Sequence, residues 1–372
     1  MRVLTTHDLG AVVREFALSG EFLDGAPYGN GHINDTYAVR FRQGDETIRY
    51  VLQRINHGIF QDVPRLMENI QRVTDHLRAA FRRQPGNDAR RETLTIIPAR
   101  DGRSYWRDAA GNWWRMYVFI EQAQTVEVVQ TPEQAYEAAK TFARFQKLLR
   151  DLPPPRLHDT IPDFHHTPKR FRALEQAIAS DPRNRAAEGK PEIDFALARE
   201  PQTRVLVDLQ HAGSLPERIT HNDTKINNVL LDERDGRGVA VIDLDTVMPG
   251  LVLYDVGDQI RTSSCTGTED ETKLTQVSLR LELFDALVRG YLEEAREFIT
   301  GQELDYLVFS GRLITFEIGI RFLTDYLNGD RYFKSHRPGH NLERARTQFA
   351  RLRAMERAES EMEQTVARYR AG

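Results

Sequence analysis

The 372-residue chain carries 51 Lys plus Arg against 55 Asp plus Glu, a formal charge of -4 that gives no global attraction to nucleic acid. Its length exceeds what one ordinary compact core fills, so two lobes are expected. The single cysteine, Cys265, excludes a disulfide framework and a multi-cysteine metal site and fits a reducing, cytoplasmic setting, while no run approaches the roughly 18 apolar residues of a membrane span.

In chain order, Leu9, Val12, Val13, Phe16 and Ala17 fall on one face of an opening helix, without a signal-type apolar segment. The stretch PYGNGHINDTYAVR (27–40) follows. It has glycines at 29 and 31, and Asn34 where a dinucleotide-binding fingerprint would place its third. A Rossmann loop needs a helix after its glycines, because the pyrophosphate sits on that helix N-terminus. Here Tyr37, Val39 and Phe41 alternate with Thr36, Ala38 and Arg40 as in a strand. The segment therefore reads as strand, loop, strand: a flap in which Gly29 and Gly31 allow close backbone approach to phosphates and Asn34 holds the turn.

The run 48–55 (IRYVLQRI) is another strand, and Leu66, Ile70, Val73 and Leu77 predict a helix over 64–80 with Pro64 in its first turn. TLTIIPA and NWWRMYVFIEQ are further strands. From Pro132 onward helical periods dominate, as in PEQAYEAAKTFARFQKLL, RLELFDALVRGYLEEAREF and DYLVFSGRLITFEIGIRFLTDYL. A lobe boundary is expected near residue 122, with a small β-rich lobe over 1–122 and a mainly helical one over 123–372.

The strongest chemical signal is ITHNDTKINNVL (219–230) followed by VAVIDLD (239–245). Two apolar strands flank Asp235-Gly236, a hairpin dipeptide. A hairpin centred there sets Asn228 opposite Asp243. An amide oxygen and a carboxylate converging at a hairpin mouth are hard ligands suited to Mg²⁺ shared with nucleotide phosphates. Asp223, a few residues upstream, is placed to take the proton of an attacking hydroxyl. The plainer alternative makes Asp223 and Asn228 turn caps and Asp243 a surface charge.

HNDTKINN followed by VIDLD resembles the catalytic and metal-binding segments of the aminoglycoside phosphotransferase and choline kinase superfamily, relatives of the protein kinases. PYGNGHIND, THNDTKINNVL, IDLDTVMPG, YDVGDQIR and GIRFLTDYLNGDRYF are similar to segments of N-acetylhexosamine 1-kinases. The resemblance implies an α+β, bilobal protein kinase-like fold: a mostly antiparallel nucleotide-binding N-lobe and a helical C-lobe with the catalytic loop and acceptor site. It implies ATP as phosphoryl donor, Mg²⁺, and transfer to the anomeric hydroxyl of N-acetylglucosamine or N-acetylgalactosamine. By it, Asp223 is the catalytic base and also faces the substrate, and Asn228 and Asp243 bind the metal. Asp255 and His221 support the loop, and Asp245 either assists at the metal or caps a loop.

The nucleotide is expected at Gly29 and Gly31 of the flap, at the backbone of Phe119, Ile120 and Glu121, and at strand 48–55. Related kinases carry Lys or Arg on that strand, whereas this chain has Gln53 with Arg54 beside it, and alternation lets only one face the cleft. Glu68 is either the helical partner of that cation or a plain surface residue. For the acceptor, the resemblance favours His32 at the flap tip, Arg321 and Tyr332. The competing readings are an exposed loop histidine and an Arg321–Asp325 intrahelical ion pair. The cationic character of 319–346 suits a neutral acceptor better than choline or an aminoglycoside. The alternatives are a kinase of another small hydroxyl compound, a nucleotide-binding scaffold without turnover, and a metalloenzyme built on His165 and His166. A monomer is the working expectation, with no nucleic-acid or membrane partner.

Overall fold

The computed structural model describes residues 7–29, 33–84 and 86–370. The chain divides into two compact units, 1–122 with 154–161, and 123–153 with 162–372.

In the first unit, α1 (Leu9–Val13) is followed by β1 (Glu21–Pro27), β2 (Asp35–Gln43), β3 (Glu46–Ile55), α2 (Val63–Arg82), β4 (Ile96–Ile97), β5 (Trp106–Arg107) and β6 (Trp113–Val118). All pair antiparallel in one sheet, in the order β1-β2-β3-β6-β4, with β5 also on β6. The opening helix is shorter than its apolar spacing predicts. It ends at Val13, and Phe16 instead bridges to Ala99 and packs in the sheet's core. Alternation along β3 turns Tyr50 and Leu52 into that core with Val39, Trp114 and Met116, leaving Val51 and Gln53 on the other face.

That other face carries α2, begun by Asp62, whose side chain accepts from the Arg65 N–H, with a proline in the first turn. The excursion 154–161 is tied to this helix by Asn69, which donates to the His158 carbonyl (2.8 Å) and accepts from its N–H (2.9 Å). The strand expected to run to Gln122 stops at Val118, and Gln122 takes a positive φ of 56°.

The second unit holds three short paired regions among helices. The strands are β7 (Ala123–Gln124), β8 (Arg218–Thr220), β9 (Val229–Asp232), β10 (Gly238–Val241) and β11 (Met248–Gly250), with sheets ordered β10-β9-β7 and β11-β8. The helices are α3 (Pro132–Leu148), α4 (Thr167–Ser180), α5 (Lys190–Leu197), α6 (Val205–His211), α7 (Val252–Ser263), α8 (Leu281–Ala295), α9 (Gly301–Asp305), α10 (Leu307–Asn328), α11 (His340–Arg357) and α12 (Glu359–Arg370). One core gathers Phe171, Phe316, Leu323 and Phe349 from α4, α10 and α11. Two glycines let backbones meet: a Cβ on Gly290 of α8 would lie 2.2 Å from the Tyr136 carbonyl of α3, and one on Gly257 of α7 would lie 2.5 Å from the Ser310 carbonyl of α10. None of the helices among the described residues is long and apolar enough to cross a membrane.

Candidate active site

The turn between β8 and β9 carries His221, Asn222 and Asp223, and its shape is imposed by a buried carboxylate. Asp255, on the first turn of α7, accepts from the backbone N–H of His221 (2.9 Å) and of Asn222 (2.7 Å), and from Gln146 Nε2 (2.7 Å). Burial pushes its carboxyl above the usual range, against the pull of His221 and these donors. Gln146, on α3, is fixed in turn by the Tyr291 hydroxyl of α8 at 2.7 Å. Thr224 Oγ1 closes the loop by donating to the Asp255 carbonyl (2.6 Å).

His221 is buried against Phe142 and Phe145. Its Nε2 donates to the Ile242 carbonyl (2.9 Å), and its Nδ1 accepts from the N–H of Asp223 (3.3 Å). A ring nitrogen that accepts from the backbone two residues ahead, with its other nitrogen donating to a carbonyl, braces the turn.

Asn222 has φ 65°, a left-handed backbone uncommon outside glycine, and directs the next side chain out of the turn. Its amide is spent inside the fold, donating to the Thr246 carbonyl (2.9 Å) and accepting from Thr220 Oγ1 (3.0 Å). Asp223 remains partly exposed beside Lys225, whose Nζ lies 3.0 Å from Oδ1. Burial would raise the Asp223 carboxyl. The charge of Lys225 and its hydrogen bond outweigh it and hold the group below the ordinary carboxylate range, so it stays ionised.

Asn228 and Asp243 do come to the same place, by a register one residue off the expected one. Val229 pairs with Val241 and the Ile242 N–H donates to the Asn228 carbonyl (2.9 Å), so Asn228 lies opposite Ile242 and not Asp243. The turn itself sets the offset: Leu231 pairs with Gly238, two residues short of its expected partner, and the irregularity between Gly238 and Ala240 recovers one of the two. Asp243 follows immediately in a left-handed conformation (φ 58°) and begins the 3-10 turn Leu244–Thr246, which buries Asp245. Asn228 Nδ2 donates to the Asp223 carbonyl (2.8 Å), which leaves its Oδ1 as the outward oxygen. Among the described residues no group of three or more His, Cys, Asp or Glu could hold a metal by itself. An amide oxygen plus one carboxylate instead fits a small hard cation completed by phosphate oxygens.

A half-buried guanidinium marks a second locus in this unit. The Arg321–Asp325 ion pair of the competing reading is not formed among the described residues. Asp325 accepts from the N–H groups of Arg331, Tyr332 and Phe333 and from Asn341 Nδ2, shaping the 330–333 loop. Arg321 instead lies 5.1, 6.0 and 5.8 Å from the rings of Phe164, Tyr332 and Phe333, with no hydrogen-bond acceptor among the described residues. Arg170 donates to the Phe164 carbonyl (2.9 Å), and burial and then Arg321 draw its guanidinium below its usual range. Tyr332 is 52% exposed.

In the first unit, Gln53 and Arg54 point to opposite faces. Arg54 pairs with Asp35 on the face away from α2, and Gln53 meets Arg115, a residue that no sequence pattern singles out. Glu121 is ion-paired with Arg49 and its carbonyl accepts from Arg91 (3.2 Å), while Phe119 lies under Arg49 (3.9 Å). Ile120 is buried. Glu68 is exposed and bonded to His158 (3.0 Å). Gly29 has φ 73° with open space around it. Gly31 and His32 lie outside the described residues. Asn34 holds the end of β3, its Oδ1 accepting from the Asn56 N–H (3.0 Å). Of the paired histidines, His166 caps α4 and His165 is buried.

The sequence model of the phosphotransferase enzyme family matches residues 24–298, well over half of the chain, including the turn that carries Asp223. The chain belongs to that family. Solved phosphotransferases share the fold at low identity. An aminoglycoside phosphotransferase from Alicyclobacillus acidocaldarius superposes with a TM-score of 0.62 at 14% identity, covering 96% of each chain. A microcompartment-associated aminopropanol kinase gives 0.57 at 16%, covering 95% of this chain and 98% of that one. A spectinomycin phosphotransferase in complex with ADP and spectinomycin gives 0.57 at 12%, covering 92% and 97%. The fold is thus the kinase-like α+β fold of this phosphotransferase family.

Proposed function

We propose that this phosphotransferase is an ATP-dependent kinase of the anomeric hydroxyl of N-acetylhexosamines, acting in the cytoplasm. Asp223 takes the acceptor's proton, and Asn228 and Asp243 hold Mg²⁺. Gly29, Gly31, Gln53 and the Phe119–Glu121 backbone serve the nucleotide. His32, Arg321 and Tyr332 serve the sugar. Membership of the phosphotransferase enzyme family supports the reaction class, and the ADP complex of the spectinomycin enzyme supports an adenine nucleotide.

The observation that carries the acceptor assignment is Arg321. Its guanidinium is half-buried among three aromatic rings, and its donors have no acceptor among the described residues. Such a group is suited to hydroxyl and amide oxygens, and the rings to the apolar face of a pyranose. With Arg170 beside it, the locus is cationic, which disfavours an amino alcohol or aminoglycoside.

Asp223 is ionised and so able to receive the proton as the hydroxyl attacks the γ-phosphate. An anomeric hydroxyl, more acidic than an ordinary alcohol, suits a carboxylate of low basicity. Mg²⁺, when bound, neutralises the phosphate charge, and positioning supplies most of the remaining rate. The deciding experiment measures Mg²⁺- and ATP-dependent phosphorylation of N-acetylglucosamine, N-acetylgalactosamine, their non-acetylated parents, choline and an aminoglycoside. Phosphorus NMR then locates the new phosphate. Turnover of choline or the aminoglycoside alone, or a product phosphorylated away from C1, would refute the reading.

A further inference from the structure

His165 sits in the turn before α4, is 5% exposed, and has both ring nitrogens engaged. Nδ1 is 2.8 Å from Glu317 Oε1, and Nε2 is 2.9 Å from the carbonyl oxygen of Asn222. A carbonyl only accepts, so Nε2 carries a proton and donates it into that bond. Glu317 is fully buried on α10, and its second oxygen accepts from Thr167 Oγ1 at 2.6 Å. Burial alone would raise the Glu317 carboxyl. The neighbouring His165, Arg321 and Thr167 outweigh that and hold it below the usual range.

The carbonyl that His165 grips belongs to the peptide plane whose N–H is that of Asp223. Asn222, in its left-handed conformation, persists only where the surroundings fix it. Asp255 holds the plane on the N-terminal side of Asn222 through its N–H, and His165 holds the plane on the C-terminal side through its carbonyl. The two rotations that aim Asp223 are therefore fixed from two separate elements, α7 and the turn before α4.

We propose that His165 and Glu317 are positioning residues for phosphoryl transfer, which lock the Asn222–Asp223 peptide and thereby the direction of the base. The inference rests on the proposed role of Asp223. Neither residue touches the reacting atoms. Glu317 stands one turn before Arg321 on α10, so the helix that presents the acceptor-side guanidinium also anchors the catalytic turn. A shift of that helix moves both.

The test uses the full chain carrying His165→Ala, His165→Gln or Glu317→Gln. kcat and KM are measured on whichever acceptor the wild type phosphorylates fastest, or as ADP release to water where no acceptor is found. His165→Ala is expected to lower kcat by roughly ten- to a hundredfold while KM for ATP changes less than about twofold, since a small misplacement of a catalytic group costs rate and not binding. His165→Gln, whose amide N–H reaches the same carbonyl, recovers at least about threefold of the loss. Glu317→Gln, which keeps a hydrogen-bonding partner for the ring, falls between wild type and His165→Ala. An alanine variant that melts like the wild type and keeps its kcat overturns the proposal. So does a folded alanine variant whose loss the glutamine does not relieve. If His165→Ala does not fold, the two milder variants decide: a kcat lowered at least about threefold in folded Glu317→Gln or His165→Gln, with KM for ATP changed less than about twofold, supports the proposal, and wild-type kcat in both overturns it. Failure of the N-acetylhexosamine reading shows separately, as absent turnover of those sugars by the wild type.

Discussion

Gln53 on β3 and Arg115 on β6 are direct cross-strand partners, and Arg115 Nε donates to Gln53 Oε1 at 2.9 Å. Gln53 is itself fixed through its Nε2, which donates to Thr36 Oγ1 (3.0 Å). Arg115 reaches Met67 of α2, so the pair lies on the sheet face that carries that helix. Where the kinases this chain resembles place a cation on the third strand, this chain places a neutral amide there, with the cation one strand over.

Arg115 is 1% exposed and fixes Gln53, so Arg115→Met is expected to lower stability and, through the loosened Gln53, to raise KM for ATP by about tenfold, with little change for the acceptor. Arg54→Met should leave KM for ATP alone and cost at most about 1 kcal/mol, because its Asp35 pair is partly solvated on the other face. Steady-state kinetics and thermal melts separate the two. Unchanged ATP kinetics in Arg115→Met would remove the guanidinium from the nucleotide.

Asp223 and Lys225 set the pH dependence. Burial raises the Asp223 carboxyl, and Lys225 brings it below the ordinary range. A base with a depressed pKa stays competent until pH falls through that lowered value. Lys225→Met removes the largest favourable charge, so the acid limb of kcat/KM should move to higher pH. A lower plateau with an unmoved limb would contradict this. Asp223→Asn, which cannot take the proton, should lower kcat by about 10² to 10⁴.

Arg321→Ala should raise KM for the acceptor by about tenfold and leave that for ATP unchanged. Arg321→Lys should not restore it, since an ammonium lacks the planar fork and the fit among rings. Recovery by lysine would mean that charge alone matters at this position.

The proximity of Asp223, Asn228 and Asp243 was legible because it is local: Asp223 and Asn228 lie just before the Val229–Asp232 and Gly238–Val241 hairpin and Asp243 just after it. The hairpin's register was not legible, because the chain turns ahead of the Asp235-Gly236 bond, with the Asp232 N–H donating to the Arg237 carbonyl, and the irregularity between Gly238 and Ala240 that recovers one residue leaves no mark in the sequence. The alternative of an Arg321–Asp325 ion pair on α10 does not hold, for a physical reason. Helical spacing reports that two side chains share a face, but the loop N–H groups at 331–333 compete for the carboxylate and win by number. Gln146, Tyr291, His165 and Glu317 were invisible as a supporting set. Each is brought to the turn from a distant part of the chain, and buried polar residues only acquire meaning beside their partners.

Away from the site, Asp270 gives the chain a defined acid sensitivity. Burial raises its carboxyl, but bonds from His340 Nε2 (3.0 Å), Thr268 Oγ1 (3.0 Å) and Arg337 Nη2 (3.2 Å) bring it down to about 2 from 3.8. Between those two values the native chain binds fewer protons at this group than the unfolded chain does, so stability rises with pH there. The contribution is complete above about pH 4 and disappears as pH falls toward 2. Asp270→Asn should accordingly be less stable than the wild type at pH 5, and the difference should shrink as pH is lowered through 4 and 3. Denaturant unfolding at those three pH values measures it. A difference that stays constant with pH would show that the asparagine lost packing or hydrogen-bond geometry, and that the ionised carboxylate is not what ties the 268–270 loop to α11.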